Sequence, residues 1–373
     1  MRSIYDVAIV GGGLMGSSIA YQLSKRGKKV VLLEKGRLAS QASGAAAGMI
    51  AAQAEMGFDT GPLFDLAIKS RAMFPVLAAE LKELCGIDVG LVRKGMLKIA
   101  CSLEEEEALH REMVAQKKED QRVEWLTQKE LRIREPGLSD SIRGAIYLPD
   151  DGQVLAPELS LAFARAAAIL GTDIREFVEV ESLVIDDNRI SGVVTNHGQV
   201  TCEQVIVTAG SWSGRWLERM EIRLPVYPVK GECFSVLTPT PLLESTIFSH
   251  GCYLVPKRGG RLVVGATMIE NTYNREVTVE GIATLIEKAK RLLPGIVHAE
   301  WEKAWTGLRP QTPDGLPYLG EHHQCKGLFV ATGHFRNGVL LSPITGELMA
   351  DLMEGKNPDG IDLRPFQTER FTG

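Results

Sequence analysis

Three glycines and one acid carry the first recognisable chemistry of this sequence. In Gly11-x-Gly13-x-x-Gly16, Gly11 allows a tight turn, Gly13 lets backbone approach a pyrophosphate, and Gly16 lets a helix pack on a strand. The motif lies between an apolar run at residues 5–10 and a helical pattern at 17–26 that stops at Gly27. The N-terminus of that helix aims its free N–H groups at phosphate. Glu34 ends a second apolar run, Val30-Val31-Leu32-Leu33, at the spacing of about 20 residues where an acid accepts ribose hydroxyls. A carboxylate there argues against a 2′-phosphate, hence against NADP. The motif itself does not choose between FAD and NAD.

Other residues have chemistry whose use the sequence leaves open. The small-residue run Ser40-Gln41-Ala42-Ser43-Gly44-Ala45-Ala46-Ala47-Gly48-Met49 either lets backbone approach a flat, bulky group, with Ser40 and Ser43 as donors, or packs as a tight helix. Arg309, in Gly307-Leu308-Arg309-Pro310, follows an apolar strand containing Trp301 and Trp305. A guanidinium at the end of such a strand can clamp a carboxylate through two parallel charge-assisted hydrogen bonds. Taken alone, an arginine there reads first as half of a structural ion pair. Tyr253 opens one arm of a hairpin and Met268 lies near the open end of the other, so both can reach one site; the default for either is core packing. Arg336 stands in a turn immediately before a helix.

The elements that must position these residues follow from hydrophobic pattern and punctuation. Residues 5–34 read as a βαβ unit. A second α/β stretch has a helix starting at Pro157 and ended by Gly171, then strands at 178–185 and 205–210. A third has a strand at 328–331, a turn at 333–338 and a helix to about Met353. Between them, residues 224–237, 252–267 and 299–308 read as longer antiparallel strands, with Lys257-Arg258-Gly259-Gly260 as a hairpin turn. Helices are expected around 65–85, 103–116 and 281–293, the second opened by a Ser102-x-x-Glu105 capping box. The expected fold is α/β (α+β overall). A Rossmann-like dinucleotide-binding domain (1–80, 145–215 and 320–373), the FAD-binding domain if the cofactor is FAD, carries an inserted antiparallel-sheet substrate domain (81–144 and 216–319).

Composition bounds the function. A chain of 373 residues exceeds one comfortable hydrophobic core, and 45% apolar with 24% charged residues is ordinary for a globular protein. A net charge of -5 gives no electrostatic reason to bind nucleic acid or anionic lipid. The six cysteines show no CxxC pair and the seven histidines no zinc-type spacing, so no metal site is expected. No stretch approaches the ~20 apolar residues of a membrane span, and no signal peptide is evident. A cytoplasmic location is expected.

The ordered set Val10-Gly11-Gly12-Gly13 to Gly16, Ser43 to Met49, Thr208-Ala209-Gly210-Ser211-Trp212-Ser213, Pro228-Val229-Lys230-Gly231-Glu232, Gly307-Leu308-Arg309-Pro310 and Gly333-His334-Phe335-Arg336-Asn337-Gly338 resembles the D-amino-acid-oxidase-type flavoproteins, most closely their bacillar glycine oxidase branch. The resemblance covers essentially the whole chain and implies non-covalent FAD. It places Leu14 and Met15 at the pyrophosphate and Glu34 at the adenosine ribose, with Lys35 also among the cofactor-binding residues. It places Ala42, Ser43, Ala47, Gly48 and Met49 along the flavin, and Val180 at the adenine through backbone. His334, Phe335, Arg336, Asn337, Gly338, Val339 and Leu340 would close over the isoalloxazine. The flavin-linking cysteine of the related sarcosine oxidases is replaced here by Gly307.

The resemblance also implies a reaction. Arg309 and Tyr253 would hold a substrate carboxylate so that the α-carbon faces flavin N5. Met268 and Met49 would wall a space little larger than glycine, and Arg336 would add to the clamp or to the field at the flavin. Loss of a proton from nitrogen and of a hydride from carbon gives an imine, which hydrolyses to the oxo acid and ammonia, while oxygen becomes hydrogen peroxide. In the family the imine also serves the thiazole branch of thiamine synthesis, and the family implies a homotetramer. One departure bears on substrate preference: the family's histidine two positions before the tyrosine is Gly251 here, with His250 one further back. Glycine, sarcosine and small D-amino acids all remain candidate substrates. The rival readings are a quinone-coupled D-amino-acid dehydrogenase, a sarcosine-oxidase-like secondary amine oxidase, an NAD-dependent dehydrogenase and a non-catalytic nucleotide-binding module.

Overall fold

In strand Ile4–Val10, Val7 and Ile9 are buried in one core, Ala8 and Val10 in another. That two-sided burial is what a central parallel strand requires. The computed structural model describes residues 4–56, 61–358 and 360–371. In it, Ile4–Val10 pairs in parallel with Val30–Glu34 on one side and Gly198–Val207 on the other. Asp173–Glu176 and Leu328–Thr332 extend the sheet in parallel, and Tyr318–Glu321 closes one edge antiparallel. One face carries helices Leu14–Lys25, Pro62–Cys85, Ala156–Ile169 and Gly338–Met353. On the other face, Val180, Ile190 and Val193, from strands Val180–Asp186 and Arg189–Thr195 that continue antiparallel from Gly198–Val207, pack with Ala8, Val10, Val31 and Leu33.

A second, nine-stranded sheet is mostly antiparallel. Its longest pairing joins Tyr227–Leu237 to Glu300–Gln311, which pairs with no other named strand among the described residues. Arg261–Gly265, Cys252–Pro256, Thr246–Ser249, Met96–Ala100, Gly144–Leu148 and Glu124–Thr127 follow in spatial order. Leu97, Ile99, Ile247, Leu254, Phe234 and Val264 bury one face against helix Val279–Leu292. Of the alternate residues, Tyr253, Val255 and Val263 pack with Ala47, while Met96, Ala100, Ile146 and Leu148 pack with Ala51, Ala54 and Leu109. The molecule is thus a mixed α/β protein built around two sheets. By pairing, the sheets divide in the connections after Cys85, Leu148, Val207 and Gln311. The boundaries expected at 80, 145, 215 and 320 lie 5, 3, 8 and 9 residues from these points. The strand Gly144–Leu148, which one of those boundaries cuts, pairs wholly within the second sheet.

Local expectations differ from the structure in informative ways. The strand expected to end at 308 runs to Gln311, so Arg309 is a paired strand residue opposite Val229 rather than a strand-end group. Ser102 accepts the Glu105 N–H as expected, but the Glu105 carboxylate accepts from Cys101 N, one residue outside the box. A complete capping box stands instead at Thr127 and Glu130. Among the described residues no helix is long and apolar enough to cross a membrane, and no cluster of His, Cys, Asp or Glu is arranged to hold a metal ion.

Candidate active site

A cleft of about 740 Å³ runs between the two sheets, from Glu34, Val180 and Trp216 at one end to Tyr253, Arg309 and Glu55 at the other. Its length and its glycine-lined wall suit an extended dinucleotide carrying a ring system. At the phosphate end, helix Leu14–Lys25 begins at Gly13 with no side-chain cap. Among the described residues only Leu14 N–H is occupied there by a side chain, that of Ser43, whose Oγ accepts at 2.8 Å. The first-turn N–H groups are therefore directed into the cleft as anion donors. Gly16 is obligatory, because a Cβ would meet Gly11 O at 2.0 Å and Thr208 Oγ1 at 2.7 Å. Thr208 Oγ1 donates to Gly11 O at 2.8 Å, so the turn is clasped from the neighbouring strand. Glu34 fixes its carboxylate on Gly12 N (2.7 Å) and Gly36 N (2.8 Å), leaving its remaining lone pairs for hydroxyls. The Val180 carbonyl, expected near the adenine, accepts the Trp216 indole N–H at 2.9 Å.

The floor of the other end is one row across the second sheet. Cross-strand pairing aligns Trp305, Cys233, Gly265, Tyr253, Phe248 and Lys98 on the face toward the cleft. Gly231 and Gly307 pair two residues along, and Val229 and Arg309 two further. The glycines clear the surface for larger neighbours. Tyr253 lies over Gly265, whose Cβ would sit 2.4 Å from the phenol oxygen, and the Arg309 guanidinium lies over Gly231. Trp305 Nε1 donates to Ala45 O at 2.9 Å, seating the short helix Ala42–Ala45 above Gly307. The small-residue run is thus partly helix and partly cleft wall.

Arg309 donates to Thr267 O at 3.3 Å and, among the described residues, makes no ion pair. A partly buried guanidinium without a carboxylate leaves most of its five donors for an anion in the cleft. Beside it the Tyr253 hydroxyl touches Cys233 Sγ at 3.4 Å. Burial first, and the neighbouring thiol second, push the phenol well above its ordinary pKa, so it stays a neutral donor. Burial raises the Cys233 thiol as well. His334 is buried against Thr345 and pushed down to about 3, hence neutral.

Arg336 does not face the cleft as a free charge. It pairs with Glu55 at 2.8 Å and lies over the Phe248 ring at 5.6 Å from its centroid. Glu55, on helix Ala52–Met56, has a side chain only 7% exposed, and burial raises its pKa although Arg336 and Arg309 oppose the shift. Its helix is anchored by Asp151, which accepts from Gln53 N and Ala54 N and pairs with Arg71.

The structure brings most of the expected residues to this cleft: Gly11, Gly13, Leu14, Met15, Glu34, Lys35, Ala42, Ser43, Ala47, Gly48, Met49, Val180, Tyr253, Arg309, His334, Phe335, Arg336, Gly338 and Val339 line it. Met49 packs with Tyr253 and Trp305. Four expected residues are off its wall. Gly16 acts behind the turn, Asn337 and Leu340 lie in the first turn of helix Gly338–Met353 or at its cap, and Met268 is 57% exposed. The expectation of a Met268 wall is therefore corrected: its strand ends at Gly265, and Met268 lies in the irregular link before the short strand Ile269–Glu270. Sequence reasoning missed Glu55, Cys233, Trp212, Arg215, Tyr273 and Arg275, which also line the cleft. Trp212 was in a quoted motif, but nothing local marked the others.

The family model described as "DAO: FAD dependent oxidoreductase" matches residues 6–352. A protein named glycine oxidase from Geobacillus kaustophilus (strain HTA426) is 48% identical over 377 residues, covering 100% of this chain and 99% of its own length. The crystal structure of glycine oxidase from Geobacillus kaustophilus has a TM-score of 0.96 to this fold at 47% identity, covering 100% of both chains. A bifunctional protein ThiO/ThiG from Synechocystis sp. is 35% identical, covering 100% of this chain and 55% of its own length.

Proposed function

This chain belongs to the DAO family of FAD-dependent oxidoreductases, as an FAD-dependent amino-acid oxidase, and from that premise we propose that it oxidises the carbon–nitrogen bond of glycine and comparably small amino acids with oxygen as acceptor. The observation that carries the reading is Arg309, a guanidinium with no carboxylate partner among the described residues, placed beside the neutral Tyr253 phenol. The fit to FAD rests on the uncapped Gly13 helix start and the glycine-lined wall from Gly11 to Gly48. Bound there, FAD supplies the hydride acceptor and passes the electrons on to oxygen.

The protein's own contribution is orientation. Arg309 and Tyr253 take the substrate carboxylate and so fix the α-carbon, which converts encounter into a near-attack arrangement. Met49, Ala47 and Trp305 exclude water and limit side-chain size on the facing wall. Among the described residues no carboxylate or neutral imidazole stands free beside Tyr253 to act as base, so the amine gives its proton to solvent. Hydrolysis of the product imine gives glyoxylate and ammonia from glycine, and the oxo acid with an amine or ammonia from sarcosine and small D-amino acids. The similarity to a ThiO/ThiG protein supports a further use of that imine in thiazole formation.

The test is aerobic turnover of glycine, sarcosine and D-alanine with peroxide and oxo acid measured together. The reading predicts one peroxide per oxo acid. Turnover that needs an added quinone and yields no peroxide would replace the oxidase with a dehydrogenase.

A further inference from the structure

The Arg336–Glu55 pair has no part in holding a single carboxylate, yet it faces the same space as the clamp. Phe248, beneath the Arg336 guanidinium, is the cross-strand partner of Tyr253, so the pair sits one strand beyond the phenol along the floor. Arg336 comes from the turn before helix Gly338–Met353, and Glu55 from helix Ala52–Met56, on separate segments. Their contact at 2.8 Å closes that end of the cleft with a matched charge pair. Without Glu55, Arg336 would join Arg309 as a guanidinium with no carboxylate partner among the described residues.

We infer that the Glu55–Arg336 ion pair is a charge filter, admitting amino acids with one carboxylate and excluding those with two. A second carboxylate on a substrate anchored at Arg309 would point along the floor at this pair. To gain Arg336 it would have to displace Glu55, leaving that buried carboxylate beside another anion. Glu55 cannot swing aside cheaply. The N–H groups at the start of its helix are held on Asp151, which is fully buried and paired with Arg71. The inference deepens the proposed function and rests on its assignment of Arg309 to the substrate carboxylate.

The test uses the flavin-loaded enzyme and two unreactive anions, acetate and malonate, titrated by the change they cause in the visible flavin bands. Wild type should bind acetate at least roughly tenfold more tightly than malonate, since like charge in a desolvated site costs that much or more. Glu55→Gln, which keeps the shape and removes the charge, should shift the malonate-to-acetate preference toward malonate by about tenfold or more. In turnover it should favour iminodiacetate over glycine by a similar factor. Equal binding of the two anions by wild type would overturn the filter whether or not the variant folds. So would an unchanged preference in Glu55→Gln. Failure of the underlying reading looks different: acetate binding would survive Arg309→Ala undiminished, which removes the clamp and the filter with it.

Discussion

Arg309 lies against the bare backbone of Gly231, where a Cβ would stand 2.4 Å from both terminal guanidinium nitrogens. The two are on neighbouring strands, Arg309 paired with Val229 and Gly231 with Gly307. Adding a methyl group must therefore push the guanidinium off its seat. Gly231→Ala is expected to raise the KM for glycine about tenfold or more, the loss of roughly one well-formed hydrogen bond to a charged group, with FAD still bound. Steady-state kinetics alongside a flavin titration check it, and an unchanged KM would mean that the seat does not matter.

Gly16→Ala should act on the cofactor instead. Its Cβ would fall 2.0 Å from Gly11 O, so the helix must shift away from the turn that aims its N–H groups. The purified variant is expected to carry little or no flavin colour, and added FAD should bind at least about tenfold more weakly than to wild type. Visible absorption after gel filtration measures this directly.

Asp151→Ala should destabilise the fold and loosen Glu55. Removing the carboxylate strips two backbone N–H groups and Arg71 of their acceptor in a fully buried place. A loss of about 3–5 kcal/mol is expected, seen as a lower midpoint in urea. Stability within about 0.5 kcal/mol of wild type would contradict the anchoring role.

Lys257 gives a pH signature. Its Nζ donates to Val154 O at 2.9 Å, and burial pulls its pKa from 10.5 down to about 7. Between those two values the unfolded chain holds a proton that the folded chain has released, so this group makes stability rise with pH through that window. Below about 7 both states are charged and the full burial penalty remains. Lys257→Met should therefore stabilise the fold below about pH 7, by a few kcal/mol at most, seen as a higher thermal midpoint there. The wild-type and variant curves should converge as pH approaches 10.5. Melting curves of the flavin-loaded proteins across that range decide it, and a constant offset at all pH values would count against titration of Lys257.

What could be read from the sequence was whatever is encoded over short distances. The Gly11–Gly16 turn and Glu34 were legible because spacing alone sets their geometry. The helix starting near Pro157 and the hairpin at Lys257 were legible for the same reason. The extent of Glu300–Gln311 was not, because strand length there is set by pairing with Tyr227–Leu237, some seventy residues earlier. Met268 was misplaced because the alternation that would aim it stops when the strand ends at Gly265. Glu55 carried no local signal at all. Its partner Arg336 is 281 residues away, and only the closing of the two layers makes it part of the site.

The most direct measurement is anaerobic mixing of the flavin-loaded enzyme with glycine, followed through the visible flavin bands, in wild type and Arg309→Ala. Wild type should bleach, and Arg309→Ala should bleach only at glycine concentrations roughly a hundredfold higher, the loss of a bidentate charged contact. Bleaching of the variant at the wild-type concentration would contradict the assignment of Arg309. Absence of bleaching by glycine, sarcosine and D-alanine in wild type would contradict the proposed reaction itself.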